Sequence, residues 1–103
     1  MENYYERDKG SLTVVMPREI DHHQANQIRV ETDMLIQAYH VRHLVFDFSK
    51  TEFMDSSGIG VIIGRCKSLG YQGGEVSAKN LNDRIQKIFL VSGLKKIIKV
   101  EEN

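Results

Sequence analysis

The chain has 103 residues, 41% of them hydrophobic and 27% charged, which suits one hydrophobic core and is too few for two. Fourteen basic residues offset fourteen acidic ones and neither sign forms a long block, so no general affinity for nucleic acid or an anionic membrane is indicated. A single cysteine, Cys66, excludes an intrachain disulfide framework, and no stretch nears the roughly 18 to 20 apolar residues of a membrane span.

The polar opening "MENYYERDKG" lacks the apolar core of a signal peptide, so the expectation is a single domain over 1–103 in the cytoplasm. Residues 4–9 and 11–16 flank Gly10 and are rich in β-formers, which predicts a hairpin or bent strand pair that Pro17 ends. The period then changes. Ala25, Ile28, Thr32, Leu35, Ile36 and Tyr39 share one helical face, and Asp21 with Gln24 three residues on resembles a capping box, so a helix is expected over 21–39.

"HLVFDF", 43–48, reads as a buried strand. After Ser56, Ile59, Ile62, Ile63, Cys66 and Leu69 line one face of a second helix, with Gly70 expected at its C-terminal cap. A strand through "IGVIIG" competes, but Cys66 and Leu69 carry the helical period two turns further. Gly73-Gly74 predicts a turn before the strand "EVSA". Asn80 is expected to cap a third helix carrying Leu81, Ile85, Ile88 and Phe89, which Gly93 ends, and "KIIKV" is a last short strand. The order β, β, α, β, α, β, α, β implies an α/β sandwich: a mixed, largely parallel sheet of four to five strands with three to four helices.

The stretch "FMDSSGIGVIIGRCK", 53–67, places Asp55, Ser56 and Ser57 where a strand's loop meets a helix N-terminus, whose unpaired N–H groups favour anions. Gly58 and Gly60 would keep the surroundings bare enough for another molecule to approach. The serines could cap the helix, act as a nucleophile or accept a phosphate. The nucleophile reading is the weakest: the G-x-S-x-G elbow is absent, since Asp55 stands two before Ser57, and that acid would repel an oxyanion. His22-His23 has no partner at metal-ligand spacing and reads as a polar helix start, Cys66 as a small core residue, and Met54 as an anchor beneath the loop. Asp21 and Asp55 fit a cap and a partner contact better than an acid–base pair, and Ile59 is expected to be partly exposed at the helix start.

Asp55-Ser56-Ser57-Gly58-Ile59-Gly60, after the strand Leu44–Phe48 and Phe53-Met54, closely resembles the signature loop of the STAS-domain anti-sigma factor antagonists. "REIDHHQAN" and "SGLKKIIKV" extend the resemblance over nearly the whole chain, with Arg18 where many relatives carry glycine, and Asp21-His22-His23 points to the sporulation branch rather than the general-stress branch. The resemblance implies a STAS-type fold and a monomeric partner switch with no enzymatic activity, cofactor or metal. Ser57 is then the phosphate acceptor of an anti-sigma factor that is also an ATP-dependent serine kinase. The unphosphorylated form binds that partner in its ADP-bound state and frees the sporulation sigma factor, sigma-F, and a serine phosphatase restores it. Asp21, Asp55, Ser56, Gly58, Ile59 and Gly60 would form the docking surface around Ser57. The alternatives are a general-stress antagonist of the same family, a STAS-like module binding a nucleotide or small ligand, and, more remotely, a hydrolase.

Overall fold

The computed structural model describes residues 4–101. The chain opens with an antiparallel hairpin of β1 (Tyr4–Asp8) and β2 (Ser11–Val15), and Gly10 ties it to the next strand by accepting the N–H groups of Arg42 and His43. There follow β3 (Glu19–Ile20), α1 (His22–Tyr39), β4 (His43–Asp47), β5 (Phe53–Met54), α2 (Ser56–Tyr71), β6 (Glu75–Lys79), α3 (Asp83–Ser92), a 3₁₀ turn at Leu94–Lys96, and β7 (Lys99–Val100). The main sheet has the order β1-β2-β4-β6-β7, and every pairing after the hairpin is parallel. Each parallel step crosses through a helix, as expected for α/β connections.

Period-2 alternation gives the sheet two unlike faces. Leu12, Val14, Leu44, Phe46, Val76 and Ala78 join Ile28 of α1, Ile62 of α2 and Phe89 of α3 in one core, so the helices layer on that face. The ring of Phe48, just past β4, meets that of Phe89 edge-on at 5.5 Å. The other face is more polar: His43 Nε2 lies 3.0 Å from Ser77 Oγ, which donates to Glu101 at 2.7 Å. The expected mixed sheet and α/β layering are thus present, with five strands in the main sheet and three α-helices among the described residues.

Several boundaries differ from the sequence reading. Helix α2 runs past Gly70 to Tyr71, and the left-handed residue that turns the chain is Gly73, at φ +82. Asn82, not Asn80, caps α3: its Oδ1 accepts the N–H of Ile85 at 2.9 Å, so Leu81 lies before the helix. Asn80 holds a left-handed φ of 61 and donates through Nδ2 to Asp47 at 3.0 Å, bracing the ends of β4 and β6 together. Of "KIIKV" only Lys99 and Val100 pair. Tyr39 is 46% exposed rather than core, and the Arg7 guanidinium sits 4.1 Å from its ring centroid. Arg18 needs no glycine-like backbone, because its φ is not positive, and its carbonyl accepts from Glu52 and Phe53.

At Asp47, burial raises the carboxyl's pKa, but hydrogen bonds from Asn80 and Ser49, with the charge of Lys79, outweigh it and hold the group below the ordinary aspartate range. A carboxyl depressed in the folded chain stabilises it above the unfolded pKa, and that contribution is lost as pH falls through the folded value. Asp47→Asn should therefore flatten the fall in thermal stability on acidification below about pH 5, while the wild-type chain keeps its steeper loss.

Candidate functional site

The two-residue strands β3 and β5 pair in parallel, Glu19 opposite Phe53 and Ile20 opposite Met54. Each runs at once into an aspartate that caps a helix. Asp21 Oδ1 accepts the N–H of Gln24 at 2.9 Å at the head of α1, and Asp55 Oδ1 accepts the N–H of Ser57 at 2.8 Å at the head of α2. Asp55 N–H in turn donates to the Ile20 carbonyl at 3.0 Å. The ladder therefore sets two helix N-termini side by side, and α1 and α2 continue packed together.

Asp55, and neither serine, is the cap of α2. With Asp55 as the cap, neither hydroxyl is needed to satisfy the first turn of α2. Ser56 is exposed, and Ser57 is half-buried, its Oγ 3.5 Å from Nδ1 of His22 on the neighbouring helix. That separation is at the outer limit of a hydrogen bond. Among the described residues His22 has no carboxylate partner, so the orienting third group of a hydrolytic triad is missing.

An open cleft of about 260 Å³ runs between the helices, walled by Ser57, Gly60 and Val61 on α2 and by His22, Ala25, Asn26 and Arg29 on α1. Asp21 is exposed and engaged with its own helix; His22, not Asp21, reaches the serine. Ile59 is half-buried and packs on the core, which leaves part of it at the surface beside Ser56. Gly60 is exposed, and a Cβ there would meet nothing within 4 Å.

Gly58 corrects the sequence reading. It is buried, and a Cβ on it would lie 2.5 Å from Met54 Cγ and 2.9 Å from Ile20 Cγ2. Its bareness serves the chain's own β3–β5 floor, not an incoming molecule. Met54 is the anchor beneath the loop, at 3% exposure. Cys66 is half-buried on α2, and burial pushes its thiol pKa up, in keeping with a core residue.

Asn26 and Arg29 were missed as site residues. With His22 they recur at i, i+4 and i+7, a polar stripe beside the buried face of α1. Such a stripe reads as solvated surface until the second helix is laid next to it.

The STAS domain family matches residues 5–103. An anti-sigma F factor antagonist of Paenibacillus polymyxa is 37% identical over 98 residues, covering 95% of this chain and 84% of the relative. The chain belongs to the STAS-domain family of anti-sigma factor antagonists. An anti-sigma-B factor antagonist of Bacillus subtilis strain 168 is 33% identical over 95 residues, covering 91% of this chain and 84% of the relative. Among solved structures, the anti-sigma factor antagonist SpoIIAA in its unphosphorylated form superposes with a TM-score of 0.87 at 27% identity, covering 98% of this chain and 87% of that one. The Bacillus cell fate determinant SpoIIAA in the phosphorylated form gives 0.80 at 27% identity, covering 98% and 90%.

The two loop glycines make opposite demands that unfolding measurements can separate. Gly58→Ala should destabilise the fold by about 1–3 kcal/mol, because buried Met54 and Ile20 must move aside. Gly60→Ala should leave stability unchanged or raise it by up to about 1 kcal/mol, the helical preference of alanine. Equal losses at both positions in urea unfolding would contradict this packing.

Proposed function

We propose that this chain is the anti-sigma factor antagonist of a sporulation-type partner switch, binding an anti-sigma factor that is also a serine kinase, freeing sigma-F, and being switched off by phosphorylation of Ser57. The observation that carries the reading is the hydroxyl of Ser57: released from capping by Asp55, it stands at a helix N-terminus on the wall of an open cleft. The relatives named for sigma-F antagonism and the likeness to SpoIIAA in both phosphorylation forms support the rest. In the transfer, Ser57 Oγ loses its proton to a base in the joint site and forms a bond to the γ-phosphorus of the kinase's ATP, with ADP leaving.

Asp21, Asp55, Ser56, Ile59 and Gly60 would surround the docked partner, with half-buried Ile59 as the apolar element of the patch. Gly58 belongs beneath that surface rather than in it. A phosphate on Ser57 adds about −1.5 to −2 charges, tolerable at the head of a helix but placed where the partner must dry the surface. Inhibition then comes from charge and bulk in the interface, with little change in the fold. The chain itself acts as a kinase substrate and not as an enzyme, works as a monomer in the cytoplasm, and needs a serine phosphatase to be recycled.

The match to anti-sigma-B antagonists favours a second reading, the same switch serving general stress. Binding to anti-sigma kinases of the two types separates these readings.

Incubation with a sporulation-type anti-sigma kinase and ATP should add one phosphate, located on Ser57 by peptide mass spectrometry and absent from Ser57→Ala. The phosphorylated chain should bind the ADP-loaded kinase at least about 30-fold more weakly than the unmodified one, the cost of roughly 2 kcal/mol or more for an unpaired interfacial charge. Phosphate on Ser56, or undiminished binding, would contradict the assignment.

A further inference from the structure

We infer that phosphoserine 57 is held in cis by Arg29 of the neighbouring helix, with His22 as a second donor, so that the off state carries its own phosphate clamp. This rests on Ser57 being the phosphate acceptor. The cleft beside Ser57 has one permanent cation on its wall, Arg29. The other arginines are engaged elsewhere: Arg18 with Glu52, Arg65 with Asp33, Arg7 over Tyr39, Arg42 with the Gly73 carbonyl and Arg84 with the Glu52 carbonyl. Arg29 differs. Among the described residues it has no carboxylate partner, and its one hydrogen bond goes from Nη2 to the neutral Oδ1 of Asn26 at 2.9 Å.

That bond aims the side chain. Asn26 lies three residues earlier on α1, so the guanidinium is drawn toward the head of the helix, the end at which His22 meets Ser57. The guanidinium fork suits phosphate oxygens, and four of its five N–H donors remain for them. His22 Nδ1, 3.5 Å from Ser57 Oγ, comes within donor range of a group that extends beyond that oxygen. The opposing charges are the carboxylates of Asp21 and Asp55, each with one oxygen engaged by a backbone N–H of its own helix. Their repulsion is the same whether or not Arg29 is present, so a change at Arg29 reports the clamp alone.

The test is a phosphorus-31 NMR pH titration of the full-length chain phosphorylated on Ser57, with a short phosphoserine peptide of the same loop as reference. A cation beside the phosphate favours its dianion, so the second pKa, about 6 in the peptide, should fall by about half a unit or more in the protein. Arg29→Ala should return most of that shift, and Arg29→Lys should keep part of it; Arg29 is exposed, so neither change threatens the fold. A wild-type phosphate that titrates like the peptide overturns the clamp while leaving the switch intact. A shift that survives in full in Arg29→Ala also overturns it. If the kinase places no phosphate on Ser57, the switch reading itself fails and the clamp falls with it.

Discussion

Everything at the candidate site depends on the parallel pairing of two strands only two residues long. Glu19-Ile20 against Phe53-Met54 is a small ladder, yet it fixes the starting points of the two helices that frame Ser57. Its apolar members, Ile20 and Met54, are buried and occupy the space a side chain on Gly58 would need. Around it the loops are braced by buried Thr51, whose Oγ1 donates to the Pro17 carbonyl and whose own carbonyl accepts from Asn82, the cap of α3. One cluster of loop contacts thereby ties the heads of all three helices to the same end of the sheet. That end lies at the carboxyl edges of the parallel strands, where open α/β folds place their ligands.

The second constraint is electrostatic. The two helix heads that frame Ser57 are each capped by an aspartate, which accepts an N–H at the start of the helix and complements its dipole. This frees the serines and sets the sign of the local field, since the two carboxylates oppose a third anion while the helix dipoles and Arg29 favour one. These opposed effects suit a reversible modification, in which the added charge must be tolerated by the fold and felt by a partner.

Much of the architecture was legible in the sequence because it rests on period. The recurrences at Ala25, Ile28, Thr32 and Ile36 and at Ile62 and Leu69 mark the buried faces of α1 and α2, and "HLVFDF" carries the signature of a central strand. What was not legible depended on contacts distant in sequence. β3 and β5 are too short to show a period, and exist only because each gives the other a partner. Asn80 and Asn82 are equally good caps by residue type, and what separates them is the bond of Asn80 to Asp47, 33 residues away. Gly58 looked like an opening for the same reason: its crowding comes from Ile20, which the sequence places in another element. The choice of Ser57 over Ser56 came from resemblance, and the structure adds that Ser57 is the one facing the cleft.

The most direct measurement is amide hydrogen exchange on this chain, alone and bound to a sporulation-type anti-sigma kinase loaded with ADP. Protection gathered at residues 20–29 and 55–61, with the hairpin and α3 unchanged, is the expected result. Protection centred on α3 or on the exposed edge of β1, with the two capped helix heads left as they were, would contradict the central claim that the β3–β5 ladder builds the docking face.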